Sequence, residues 1–182
     1  MSNGDAQPTT AAAEQARAGA TRGAVQWLWL SFAVIALDQI TKWLIERRLE
    51  LFDQIELLPV LALKLLYNEG AAFSFLSTAS GWQRWLFIAL ALSISIVIVF
   101  WLRRLPAKGQ AWLAAALALV AGGALGNVID RVAHGHVIDF ILVHYGAWYF
   151  PAFNVADSAI TVGAIMLIVD SIFISGKNRK AG

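Results

Sequence analysis

The chain has 182 residues, of which 59% are hydrophobic and only 14% are Asp, Glu, Lys or Arg, and its mean hydropathy is +0.64. A soluble domain carries about a quarter charged residues, so a cytosolic enzyme or a free-standing binding module is excluded. The absence of cysteine excludes a catalytic thiol, a disulfide, a Cys-ligated zinc site and a cysteine lipid anchor as well.

Residues 1–24 are rich in Ala, Thr, Gly, Gln and Ser and read as a disordered tail. The first apolar block, residues 25–45, is an uncleaved helix. Asp38, Gln39 and Lys42 lie in the same helical stretch, and no small-x-small cleavage pattern ends the apolar core. Residues 46–84 are too long for a turn. Their apolar run, 57–66, is broken by Pro59 and Lys64 and too short to span. It predicts extended or interfacial structure, a small β cradle on the outer surface with a short helix near 71–76. Spans follow at 85–101 and 111–129, joined by a turn containing Pro106 and Gly109, and the last lies at 154–174. Gly176 stops it, and a basic tail occupies 176–182. The fold class is therefore an all-α polytopic membrane protein of four helices, with residues 25–175 forming one unit.

Charge sets the orientation. One side carries Arg17, Arg22, Arg103, Arg104, Lys108, Lys177, Arg179 and Lys180 against Asp5 and Glu14. The other carries more acidic than basic residues, among them Glu46, Glu50, Asp53, Glu56 and Glu69. The basic side belongs in the cytoplasm, which places both termini there. That sorting, rather than nucleic-acid binding, accounts for the pI near 9.2.

A charge inside a span costs several kcal/mol, about 2.5 to 3.5 on insertion scales, and so marks function or a partner. Asp38 and Lys42, four residues apart on one helical face, read as an ion pair in a supporting role. Asp170, near the inner end of the last span, reads as reaching the cytoplasmic interface. Gly122, Gly123 and Gly126 allow close helix approach, and Asn127, Asp130 and Arg131 cluster at the mouth of the same helix. Asp139 sits in a strand-like context and Asp157 at the outer start of the last span. Asn154 is the better-placed helix cap, which leaves Asp157 facing the bundle or its mouth. The residues alone leave three classes open for these carboxylates: paired acid–base groups, an ion-coordinating site of a transporter or channel, or a structural network. His134, His136 and His144 fit no ordinary metal pattern. Ser74 with Lys42 is a weak nucleophile pair, and no nucleotide loop is present.

The blocks Asp38-Gln39-Ile40-Thr41-Lys42, residues 68–74 (Asn-Glu-Gly-Ala-Ala-Phe-Ser), 122–131, Val137-Ile138-Asp139-Phe140 and residues 153–157 resemble, in order, those of bacterial lipoprotein signal peptidase, or signal peptidase II. The resemblance covers about residues 27–175. It implies an aspartic endopeptidase of the inner membrane without a cofactor or metal. Its substrates are prolipoproteins whose lipobox cysteine already bears diacylglycerol, cut just before that cysteine. It further implies that Asp139 and Asp157 are catalytic, that Asn68, Asn127, Arg131 and Asn154 line or brace the substrate site, and that Asp38, Lys42 and Asp130 support it. Globomycin-type cyclic peptides are the implied inhibitors, and a monomer is expected. Substrate is expected to enter between the helices bearing Asn127 and Asp157, beneath a cover formed by residues 68–74 in which Gly70 permits close approach.

Overall fold

The computed structural model describes residues 23–70 and 81–174. The tails, apart from Gly23 and Ala24, and the helix expected near 71–76 lie outside the described residues. Four helices carry the apolar blocks: α1 (Leu28–Glu46) after a 3-10 turn (Ala24–Trp27), α2 (Trp82–Arg104), α3 (Ala111–Ala133) and α4 (Val155–Val169), which continues as a π turn (Asp170–Ile174). Each of the four is long and apolar enough to cross a membrane. At 1.5 Å per residue α2 and α3 measure about 34 Å, slightly more than a hydrocarbon core.

Helix ends run past the apolar blocks. α2 begins at Trp82 and takes in Gln83 and Arg84, while α3 continues through Asp130 and Arg131 to Ala133. Hydropathy locates the lipid-buried middle of a helix; its backbone bonds continue regardless of side-chain polarity. Asp170 departs from expectation. It is only 5% exposed, so it turns inward and does not reach out to an interface.

The remaining chain forms an antiparallel sheet of β1 (Gln54–Leu58), β2 (Leu61–Asn68), β3 (Val137–Tyr145) and β4 (Trp148–Tyr149), in that spatial order. Leu58 pairs with Leu61, so Pro59 and Val60 make the turn, where a missing N–H is harmless. Half of this cradle comes from residues 137–149, which in the sequence read as strand-like only around Val137–Phe140. Leu49, Leu65 and Ile138 pack together and seat the sheet on the end of α1.

α3 is the central helix, packed against α1, α2 and α4. Two-thirds (67%) of its apolar window is buried, against 22% in each of the other three. Small residues make this possible. A Cβ on Gly122 would stand 2.8 Å from the Ser31 carbonyl oxygen, and one on Gly123 would collide with that of Ala156. Ser31 Oγ also donates to the Ala118 carbonyl at 2.7 Å across the α1–α3 contact. The large side chains on the outer faces, such as Phe32, Leu90, Val97 and Ile168, are exposed because lipid is their solvent.

Because a rigid carbonyl opposes Gly123, Gly123→Val is expected to separate α3 from α4. Thermal unfolding in detergent should show a large fall in midpoint or loss of folded protein, whereas Val97→Ala on the lipid face should leave the midpoint nearly unchanged.

Candidate active site

All ten residues singled out in the sequence converge where the helices meet the sheet. The sheet register brings in Asn68: Leu66 pairs with Asp139 and Asn68 with Val137, so Asn68 and Asp139 are diagonal neighbours on one face. Asn68 Nδ2 donates to Asp139 Oδ2 at 2.9 Å. Its own oxygen accepts from the Gly70 N–H at 2.9 Å, which fixes which end of the amide meets Asp139.

Asn154 arrives from the other direction. Phe153 pairs with Ile141 of β3, exchanging backbone bonds of 2.8 and 3.0 Å, and the next residue starts α4. Asn154 caps that helix as expected, accepting from the Asp157 N–H at 2.9 Å. Asp157 returns a bond from Oδ2 to the Asn154 N–H at 3.3 Å, completing a capping box. The carboxylate read as facing the bundle is thus also a cap. Its Oδ1 accepts from Asn127 Nδ2 at 2.7 Å. The fully buried Asn154 also donates to Asp139 Oδ1 at 2.8 Å. Asp139 and Asp157 therefore share Asn154, and each of their four oxygens accepts an N–H.

Behind this pair lies a buried ionic cluster. Lys42 Nζ is 2.7 Å from Asp38 Oδ2, 2.7 Å from Asp130 Oδ2 and 3.1 Å from Asn127 Oδ1. Asp38 Oδ1 accepts from the Ala156 N–H at 2.9 Å, and Asp130 Oδ2 from the Ile138 N–H at 3.2 Å. The supporting ion pair expected of Asp38 and Lys42 is a three-residue cluster. Gln39 completes it, donating to Asp130 Oδ1 at 2.8 Å; its signal in the sequence was a polar amide in an apolar helix beside Asp38.

Arg131 lies one turn beyond Asn127, its guanidinium 5.1 Å above the Phe87 ring. Among the described residues it forms no ion pair. Phe87 was not legible as a site residue, being one apolar side chain among many. A cleft of about 270 Å³ runs from Asn127, Arg131 and Asp157 along Phe87, Leu90, Ala91 and Ile94 of α2, with Val120 and Ala124 of α3 and Ile160 of α4. The opening is therefore bounded by α2 and α4 and floored by α3. It is not between α3 and α4, which the expected route required, because Gly123 and Gly163 bring those two helices into backbone contact. Of the expected cover, Gly70 stands against Phe87, a wall residue of the cleft, and residues 71–74 lie outside the described residues.

The histidines do not gather around Asp139. His136 packs on Tyr67, with ring centroids 4.0 Å apart, and His144 Nε2 lies 3.0 Å from Glu56. Burial holds the Asp139 carboxyl protonated up to about pH 7; the Asn68 hydrogen bond opposes this and the charge of Asp157 adds to it.

Four apolar helices long enough to cross a membrane, meeting a small sheet that brings two aspartates together, define a multi-pass membrane protein. The family model for signal peptidase II matches residues 30–173. A lipoprotein signal peptidase of Pseudomonas fluorescens strain Pf0-1 is 57% identical over 162 residues, covering 88% of this chain and 92% of that one. One from Pseudomonas aeruginosa strain UCBPP-PA14 is 55% identical over 161 residues, covering 87% and 94%. A bacterial membrane enzyme solved in meso at 1.9 Å resolution superposes with a TM-score of 0.71 at 31% identity, covering 82% of this chain and 94% of that one. The chain belongs to the signal peptidase II family.

Two outcomes follow from the geometry. An unfolded Asp carboxyl titrates near 3.9 and the folded Asp139 near 7, so between about pH 4 and 7 the folded protein binds more protons. Stability contributed by Asp139 is therefore lost as pH rises through that window, and the slope of thermal midpoint against pH should flatten in Asp139→Asn. Gly70 has φ +95°, and a Cβ there would stand 2.8 Å from Phe87 Cε2. Gly70→Val should lower turnover at least about tenfold through strain and intrusion at the cleft, with the yield of membrane-inserted protein little changed.

Proposed function

We propose that Asp139 and Asp157 are the catalytic dyad of a signal peptidase II that removes signal peptides from diacylglyceryl-modified prolipoproteins, cutting just before the lipidated cysteine. The observation that carries this reading is the pair itself, two carboxylates joined through Asn154, one of which, Asp157, lines an apolar cleft. Relatives 55–57% identical over most of the chain are named lipoprotein signal peptidase, which supports the same substrate class here.

Burial favours Asp139 as the carrier of the shared proton, which suits it to the acid role. Asp139 starts protonated and donates to the scissile carbonyl oxygen, while Asp157 starts ionised and takes a proton from water. Water oxygen bonds to the carbonyl carbon; on collapse the C–N bond breaks, the departing amine takes the proton held by Asp157, and Asp139 recovers its own. A carboxylate activates the water, so a chelator should leave the rate unchanged.

The cleft suits a substrate held in lipid. Its walls on α2, α3 and α4 are apolar, and its polar end holds Asp157, Asn127 and Arg131. Signal peptide and acyl chains occupy the apolar length, with Arg131 and Asn127 placed for the peptide backbone. A globomycin-type cyclic peptide would compete for the same space. The charge asymmetry of the sequence supports an inner-membrane location with both termini cytoplasmic and the sheet outside, residues 25–175 acting as one monomeric unit. A transporter reading is less well supported, since the site's charged residues crowd at one end of the bundle and α2 carries no charge through its middle, where Ser93 and Ser95 bond within the helix.

Asp139→Asn and Asp157→Asn should each abolish release of intact signal peptide from a diacylglyceryl-modified precursor, measured by mass spectrometry, while the purified proteins keep a cooperative thermal transition. Full activity in either variant would end the dyad assignment.

A further inference from the structure

We propose that Lys42 is a positioning residue for the dyad: by donating to Asn127 Oδ1, it sets the orientation of the Asn127 amide so that nitrogen, not oxygen, meets Asp157. The inference rests on the dyad reading above. A primary amide has nearly the same shape after a half-turn, which exchanges donor for acceptor, so its orientation is decided by its neighbours. Asn127 Nδ2 is 2.7 Å from Asp157 Oδ1, and its Oδ1 lies 3.1 Å from Lys42 Nζ and 3.2 Å from Asn154 Nδ2. Turned over, the amide would set N–H against ammonium on one side and oxygen against carboxylate on the other.

The other two amides at the dyad are oriented by backbone donors. Gly70 N–H meets Asn68 Oδ1, and Asp157 N–H meets Asn154 Oδ1. Asn127 is oriented by a side-chain cation instead. Asn154 cannot substitute as the lock, because its Nδ2 is divided among Asn127 Oδ1, the Ile138 carbonyl and Asp139 Oδ1. Lys42 is 1% exposed and has three N–H donors, which match Asp38, Asp130 and Asn127. An ion pair built only for stability explains the first two bonds and not the third. The charged groups around Asn127 are Lys42 and Asp38 from α1, Asp130 and Arg131 from α3, Asp157 from α4 and Asp139 from β3. Arg131 reaches only the Asn127 backbone oxygen, at 3.5 Å.

Lys42→Met alone strands two buried carboxylates and threatens folding, so the test uses an Asp130→Asn background in which Lys42→Met restores the cluster's original net charge. Lys42→Met, Asn127→Leu and the combination are compared there for kcat, KM and kcat against pH on a diacylglyceryl-modified precursor in mixed micelles. Freed, the amide can present oxygen to the dyad, a contact that only a protonated carboxyl, donating its O–H, makes well. Lys42→Met is therefore expected to lower kcat about tenfold with KM within about twofold, and to move the acid limb of the profile up by about one pH unit. Added to Asn127→Leu, it should change kcat by less than about twofold, because its effect passes through Asn127. Independent, multiplying effects, or an acid limb that stays in place, would overturn the proposal. If the Lys42→Met proteins fail to fold, Asn127→Asp with Lys42 intact presents an oxygen to Asp157 directly, and an unmoved limb there overturns it equally. Asp157→Asn measured alongside separates the two readings: retained activity ends the dyad itself, whereas an inactive Asp157→Asn beside independent effects ends only the role of Lys42.

Discussion

The ammonium of Lys42, held between Asp38 and Asp130 inside an apolar bundle, is the contact on which the rest of the site depends. Burying three charges is costly, and pairing alone seldom repays the desolvation. The cluster contributes placement. Each carboxylate uses an oxygen on a backbone N–H of a distant element, Asp38 on Ala156 in the first turn of α4 and Asp130 on Ile138 near the start of β3. The residues that follow those two amides are Asp157 and Asp139. One cation on α1 thereby fixes, through two carboxylates, the backbone positions of both aspartates, which lie on different elements and meet only if α4 and β3 are set correctly.

The aspartates face two opposed demands. A low-dielectric site favours the protonated form, and a carboxylate that accepts several N–H bonds favours the ionised one. For Asp139 burial wins over the bond from Asn68, leaving it near neutrality at about 7. Asparagine suits this balance because it brings a neutral donor on a short stem without adding a charge to be desolvated. Three of them, each oriented from behind, satisfy a polar network at a depth where an unpaired group would cost several kcal/mol.

Much of this was legible in the sequence. Four apolar blocks, the i,i+4 spacing of Asp38 and Lys42 and the run of glycines before Asn127 gave the bundle, the ion pair and the close helix contact, and the motif blocks brought all ten site residues forward. Register was not legible: nothing in residues 61–68 says that Asn68 stands diagonal to Asp139, because pairing depends on a bulge between Leu63 and Leu66. The position of the opening was misread for a related reason. Small residues on α3 signal approach without naming the helix that approaches: Gly122 meets α1, whereas Gly123 meets α4 and shuts the gap through which substrate had been expected to pass. Asp170 was misjudged because distance from a helix end indicates reach and says nothing about which way the side chain turns.

That closure also separates the two duties of the bundle. α1, α3 and α4 pack on one another and carry the ionic cluster, Asn127, Arg131 and Asp157. α2 packs on α3 and the 3-10 turn, and its side of the cleft is apolar, from Phe87 to Ile94. An apolar wall in contact with lipid gains nothing from a unique partner, since acyl chains and a signal helix solvate it about equally well. On the proposed reading, substrate replaces lipid along α2 at little cost, while the carboxylates beside it stay fixed by bonds that the exchange does not touch. Phe87 stands at the junction, beneath the Arg131 guanidinium and against Gly70. A hydrophobic ring there lets the cleft pass from lipid-like to polar within a single helical turn, and the absence of a side chain at Gly70 keeps that passage open.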